Sequence, residues 1–145
     1  ELLQLQSIKL GDNSFCKSRL FRVYSLPSLQ SIELGSNSFG LSDSFILQSL
    51  PSLQSIVLGK TAFGSCQQFV MNNLTSFVSF DLGGNRFASV TSFSMIDLPL
   101  LKSIKLNDKA FANSQSFELM GLSSLESIEM GNGCFHSASS LTING

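Results

Sequence analysis

Apolar residues recur along this chain with a fixed period of 24 residues. Each unit begins with a leucine, and no insertion or deletion interrupts the register. The six units, each counted from its leucine as position one, are 2–25, 26–49, 50–73, 74–97, 98–121 and 122–145. A strict period in the range of about 20–50 residues predicts a solenoid, in which every unit stacks on its neighbours.

Each unit contains two predicted strands. Positions seven and nine are apolar and alternate with polar positions six and eight, as in Ser31–Leu34, which predicts a strand with one buried face. The second half ends in a further alternation, as in Phe45–Leu47, and lacks the three- and four-residue apolar spacing of a helix. We therefore expect an all-β or mostly β solenoid, with a parallel sheet on one face and extended or short-strand segments on the other.

Phenylalanine is concentrated in two positions of the unit. Position fourteen is Phe in all six units and position twenty in five: Phe15, Phe39, Phe63, Phe87, Phe111 and Phe135, then Phe21, Phe45, Phe69, Phe93 and Phe117. We expect these columns to lie between the two layers of strands. Because stacked strands lie about 4.8 Å apart, six units should form a weakly curved slab about 29 Å long.

The unit L-P-S-L-x-S-I-x-L-G-x-N-x-F, seen best at 26–39, resembles the leucine-rich repeat along the whole chain. In that family the Asn satisfies backbone groups of a turn. Here position twelve is Asn13, Asn37 and Asn85, but Thr61, Lys109 and Gly133 in the other units. We expect those three turns to close their hydrogen bonds another way, through ordered water. Glycine at position ten of every unit except the fifth, which has Asn107, suggests a positive φ there.

Composition and charge exclude several classes of function. Nine basic and ten acidic residues leave a net charge of -1, which argues against nucleic acid or an anionic membrane as partner. No apolar run is long enough for a membrane span. The single histidine, His136, follows Phe135 in the last unit, a place typical of a solvated turn residue, and Cys16, Cys66 and Cys134 lack zinc-ligand or disulfide spacing. The sequence therefore predicts no catalytic residue, no metal and no cofactor.

The outward positions of the first strand form the candidate functional face. Position six is serine in every unit, and position eight is mostly charged, which should place Lys9 beside Glu33 and Lys105 between Asp81 and Glu129. The serines are Ser7, Ser31, Ser55, Ser79, Ser103 and Ser127. In the second strand, the neighbours Ile46 and Val70, and likewise Ile96 and Met120, either form an exposed contact surface or belong to the core.

Two functions are compatible with this pattern. The first is a structural or adhesive scaffold at the cell surface or outside the cell. Its terminal units keep the apolar pattern, so they should pack against flanking repeats of a longer array or stack end to end into a filament. The second, which the family resemblance implies, is a module that recognises a protein or glycan on its concave sheet face. Asn73 begins the only Asn-x-Ser/Thr glycosylation motif.

Overall fold

The chain is a solenoid of about six turns with two strands in every turn. A computed structural model describes residues 1–84 and 87–145, and that part of the chain contains strands and turns but no helix. The first-half strands are β1 (Ser7–Leu10), β3 (Ser31–Leu34), β5 (Ser55–Leu58), β7 (Ser79–Asp81), β9 (Ser103–Leu106) and β11 (Ser127–Met130). The second-half strands are β2 (Leu20–Tyr24), β4 (Ser44–Gln48), β6 (Gln68–Asn72), β8 (Ser92–Ile96), β10 (Ser116–Met120) and β12 (Ser140–Asn144). The predicted all-β solenoid is confirmed.

The second-half strands form one continuous parallel sheet, in the order β2-β4-β6-β8-β10-β12. We call it the second sheet. Each residue pairs with the residue 24 positions further along the chain, so Phe45 lies beside Phe69 and Leu47 beside Met71. This constant register keeps every column of the repeat on the same face of the sheet.

The first-half strands form two three-stranded parallel sheets, β1-β3-β5 and β7-β9-β11, which we together call the first sheet. The interruption between β5 and β7 falls at unit four, where Phe77 and Phe80 replace the leucine and isoleucine of the other units. Both rings are buried, and the Phe80 ring lies 5.7 Å from that of Phe69 in the second sheet. We infer that these larger side chains hold β7 away from β5.

The core consists of the predicted apolar columns. In unit five every predicted inward position is buried: Leu98, Leu101, Ile104, Leu106, Phe111, Phe117 and Leu119. The two phenylalanine columns run through this core. Within the position-fourteen column, successive ring centroids are 5.3 to 5.6 Å apart and every pair is stacked. Edge-on contacts such as Phe45–Phe63, at 5.0 Å, join the two columns, which is a favoured geometry for aromatic pairs.

Position seventeen also points inward, which the apolar pattern does not predict. Ser42, Cys66 and Ser114 are fully buried there. Each donates to the carbonyl two residues further on, with Ser42 Oγ 2.9 Å from the carbonyl oxygen of Ser44. Small donors fit this position because each bond is made within the same turn and leaves no buried hydroxyl unpaired.

The expectation for the position-ten glycines is wrong for all but one unit. Of these glycines only Gly83 has a positive φ, of 61°. A Cβ added to Gly35, Gly59 or Gly131 would instead overlap the backbone of the turn in the preceding unit. Glycine is required there by the close approach of stacked turns. The other positive φ values lie at positions twelve, fourteen and twenty-four.

The turn at Lys109, which lacks Asn, does not need the water that we expected. The N–H of Lys109 donates to the carbonyl of Asn132 in the next unit at 2.7 Å, as the N–H of Asn13 does to Ser36 at 2.9 Å. Position twelve has a φ of 56° to 71° in Asn13, Asn37, Thr61, Lys109 and Gly133 alike. A bond between backbones of adjacent units therefore closes the turn at Lys109 in the same way as the turn at Asn13. Asn85 lies outside the described residues.

Candidate functional site

The six position-six serines lie on the outer face of the first sheet. Each is the first residue of its strand, and register places Ser7, Ser31 and Ser55 side by side, as it does Ser79 and its two successors, Ser103 and Ser127. All six are exposed or half-buried. None of their hydroxyl groups forms a hydrogen bond with another described residue, so the two rows of hydroxyls face outward.

The charged column beside them forms one ion pair. Lys9 Nζ lies 3.0 Å from Glu33 Oε2, and both side chains are at least half exposed. Lys105 lies between Asp81 and Glu129 in the sheet register, yet no ion pair joins these three within the described residues. Asp81 instead accepts from the N–H of Gly83 at 2.9 Å. Exposed pairs of this kind contribute at most about 1 kcal/mol to the free energy of unfolding, so the charged column adds little to the stability of the sheet.

The structure decides which way the apolar pairs of the second strand point. Columns twenty and twenty-two are buried, so Ile46, Val70, Ile96 and Met120 lie on the outer face of the second sheet, where all four are half-buried. Ile46 pairs with Val70, and Ile96 with Met120. The core alternative is therefore wrong for these residues.

One cluster on this outer face was missed by the sequence analysis. Arg22 and Tyr24 are two residues apart on β2, and the guanidinium carbon lies 5.0 Å from the centre of the tyrosine ring. Leu20, on the same face of the strand, is 54% exposed and Tyr24 is 56% exposed. The period-two alternation of β2 could have revealed the cluster, because it places positions nineteen, twenty-one and twenty-three together.

The faces of the first and sixth units expose apolar side chains that are buried in the middle units. Phe15 is 62% exposed, whereas Phe63 in the same column is fully buried. Leu141 and Ile143 are 66% and 56% exposed, while their counterparts Phe69 and Met71 are buried. These two end faces carry the same columns as any internal contact between units.

Side chains that could act in catalysis or bind a metal lie apart from one another. His136 borders an open hollow of about 290 Å³ with Lys109, Ala112 and Gly133, a lining without a carboxylate, hydroxyl or thiol group. The three cysteines are free. Burial raises the pKa of the Cys66 thiol to about 12, which makes it unreactive at neutral pH. Nowhere within 1–84 and 87–145 do three His, Cys, Asp or Glu side chains gather as metal ligands would.

Asn73 lies immediately after β6, at the corner between units three and four. It is exposed, and its Nδ2 donates to Ser49 Oγ at the same position of the preceding unit, at 3.4 Å. Its φ is 54°, a conformation that asparagine tolerates better than most residues. The side-chain amide is thus accessible and held only by one long hydrogen bond.

Comparison with known proteins identified no relative of this chain. Searches against family models, curated proteins and solved structures found no match. The solenoid fold therefore rests on the internal repetition and on the strand register. No described segment forms a helix with the length and hydropathy that crossing a membrane requires.

Proposed function

We propose that this chain is a non-enzymatic leucine-rich repeat solenoid that acts as a structural or adhesive scaffold. One observation carries the proposal: successive units bond and stack through the same elements, and both end faces expose the columns that join units internally. In Phe63, for example, the ring stacks on Phe39 at 5.3 Å and the N–H donates to Ser38 of the unit before. Such a construction provides length and surface rather than a reaction centre.

The leucine-rich repeat assignment is supported more by the buried leucine column than by the turn after the first strand. Asn37 Nδ2 donates to Asn13 Oδ1 at 2.8 Å, so the family's asparagine position forms a ladder between units one and two. The leucine at position four is buried in units two, three and five, at Leu29, Leu53 and Leu101. The buried leucines thus agree with the resemblance, whereas this asparagine bonds another side chain rather than backbone groups of the turn.

The end faces are suited to further units of the same pattern. Each buried aliphatic or aromatic side chain contributes roughly 1.5–3 kcal/mol, so covering an end face with another unit is strongly favourable. If unit one of a second copy stacked on unit six, the register would place the second copy's Lys9 beside Glu129. This contact would repeat the Lys9–Glu33 ion pair seen within the chain. We propose that flanking repeats or a second copy cover these faces.

Recognition of a ligand on the first sheet has less support. Binding surfaces of proteins are usually anchored by Tyr, Trp and Arg. The outer columns of the first sheet carry serine and single charges, and the only tyrosine, Tyr24, lies on the other sheet. A uniform row of hydroxyls suits lateral packing or O-linked glycans better than discrimination among partners.

A location at the cell surface or outside the cell is part of the proposal. It is supported by the low charge, the abundance of serine and asparagine, and the exposed motif at Asn73. Loss of mass from the natural protein after treatment with an N-glycosidase, abolished by Asn73→Gln, would support this location. An unglycosylated Asn73 in the natural protein would remove its strongest support.

Imaging of the natural material tests the scaffold proposal. We expect rods or fibres in negative stain, with a diffraction spacing of about 4.8 Å along the rod axis, because strands of successive units stack in that direction. Discrete particles that bind a soluble ligand on the first sheet would contradict the scaffold function and favour the recognition module.

A further inference from the structure

The outer face of the second sheet carries fewer charges than the outer face of the first sheet. We define the second-sheet face as positions nineteen, twenty-one and twenty-three of the six units. It contains two charged residues, Arg22 and Glu118, whereas the outer columns six and eight of the first sheet contain five. Its apolar members are Leu20, Tyr24, Ile46, Val70, Ile96 and Met120.

The two charges lie in the same column, four strands apart. Arg22 pairs in register with Ile46, then Val70, then Ser94, and finally Glu118. At a strand spacing of about 4.8 Å, their backbones are separated by about 19 Å. This distance is too long for the two side chains to meet within one molecule. Each charge is therefore available to a partner that packs on this face.

A two-fold rotation makes this face complementary to itself. An axis parallel to the strands and passing over β6 leaves each column in place but reverses the order of the strands. It lays β2 of one copy on β10 of the other, β4 on β8, and β6 on itself. Arg22 then faces Glu118, Tyr24 faces Met120, and Val70 faces Val70 of the second copy. Isologous contacts of this type are the commonest in homodimers.

We propose that two copies of this chain pack their second-sheet faces together around this axis. Arg22 and Glu118 form two symmetric ion pairs on the outer strands of the contact, beside Tyr24 and Met120. At the centre Val70 meets its own copy, while Ile46 faces Ser94 and Ile96 faces Gln48. Tyr24 contributes a large amphipathic side chain of the type that anchors interfaces, with Arg22 already positioned over its ring. This inference goes beyond the scaffold proposal and does not depend on stacking of the end faces.

The expected affinity is low because the overlapping area is small. Five strands of five residues cover about 24 by 16 Å, or roughly 400 Å² per copy. Specific stable interfaces bury about 1,200–2,000 Å² in total, so this contact, at roughly 800 Å² for the two copies together, falls below that range and belongs with weak, transient interfaces. We expect a dimer that forms reversibly as concentration rises, and many such contacts would act together where copies are arrayed.

Charge reversal with complementation tests the proposal. Sedimentation of the 145-residue chain should show a monomer–dimer equilibrium, and R22E or E118R alone should weaken it by roughly tenfold or more through repulsion between like charges. An equimolar mixture of R22E and E118R should dimerise again, because each faces opposite charge in the mixed dimer. The double variant R22E/E118R should also dimerise. Lys17→Glu, an equal charge change at an exposed residue outside this face, should have no effect.

Three results would overturn the proposal. They are a wild type that stays monomeric up to about 1 mM, a dimer that both reversals leave unchanged, and single variants that fail to associate when mixed. Circular dichroism of each variant checks the fold, and restored association in the mixture excludes misfolding. Glu118 lies on an internal strand, away from the end-to-end contact, so rod length of the E118R variant in negative stain reports the scaffold proposal separately.

Discussion

At the scale of single residues, the phenylalanines of position fourteen occupy a backbone conformation that bulky residues rarely adopt. All six have a φ of 44° to 57°. A left-handed residue costs roughly 1–2 kcal/mol. Burial of an internal ring contributes roughly 1.5–3 kcal/mol, and each aromatic pair adds about 0.5–1.5 kcal/mol. Packing therefore exceeds the backbone cost in the internal units, and this difference explains why an aromatic is retained there.

The buried thiol of Cys66 should make the stability of the chain pH-dependent in the alkaline range. Burial raises the pKa of its thiol from 9.0 to about 12 in the folded chain. Below pH 9 the thiol keeps its proton in both the folded and the unfolded chain, so its ionisation does not affect stability. Between pH 9 and pH 12 the unfolded chain loses a proton that the folded chain retains. The free energy of unfolding should therefore fall in this window by about 1.4 kcal/mol per pH unit.

The variant Cys66→Ser isolates this effect. Ser42 and Ser114 occupy the same position in other units and make the same bond, so the variant should fold normally. We expect its urea unfolding free energy to fall less steeply than that of the wild type between pH 9 and pH 11. Other titrating groups are shared and cancel in the comparison. Parallel curves for the two proteins would show that the buried thiol does not govern this range.

At the scale of elements, the close stacking of turns explains the position-ten glycines. The N–H of Gly59 donates to Leu34 of the preceding unit at 2.7 Å, and an added Cβ would overlap the backbone of Gly35 and Ser36. Neither neighbour can move without separating two units. A side chain at this position therefore acts on the contact between turns rather than on one residue.

Gly59→Ala should destabilise the chain, and Gly64→Ala should not. The first substitution overpacks two backbones and should cost roughly 1–3 kcal/mol. At Gly64 the nearest atom to an added Cβ is 3.7 Å away and φ is not positive, so alanine should be neutral or stabilising by about 0.4–1 kcal/mol. Thermal or urea unfolding measures both. Equal effects of the two substitutions would mean that the turns are not packed as closely as the structure shows.

The period of the sequence predicts the strands well, but it does not predict details that depend on contacts between units. The strands, their parallel order and the phenylalanine columns follow from the spacing of apolar residues alone. The split of the first sheet does not, because it depends on how the volumes of Phe77 and Phe80 act on β7. The role of the position-ten glycines also could not be predicted, since a close approach and a positive φ both favour glycine.

The candidate surfaces were predictable only in part. Alternation places Ser31 and Glu33 outward, and register then aligns them with the same positions of the adjacent units. The direction of Ile46 and Val70 was undecided, because both neighbouring columns of that strand are apolar in the sequence. Burial of Phe45 and Leu47 in the structure decides it.

At the scale of the whole molecule, the two end faces determine whether the chain stands alone or extends. A one-dimensional stack draws its stability from contacts between neighbouring units. An exposed strand edge with apolar side chains also favours pairing with another chain. The face of unit six combines both features, since β12 pairs with β10 on one side only and exposes Leu141 and Ile143.

Charging this end face should shorten the rods without unfolding the chain. Leu141→Lys combined with Ile143→Lys places two ammonium groups where a further unit would pack. Burial of an unpaired charge costs several kcal/mol, so end-to-end contact should be largely lost. Both residues are more than half exposed in the isolated solenoid, which should keep its thermal unfolding midpoint within a few degrees. Val57→Lys is the matched control, because Val57 is 58% exposed on a lateral face beside Glu33. Rod length in negative stain should fall for the double variant and not for the control. Rods of unchanged length would mean that the contact between copies lies elsewhere on the molecule.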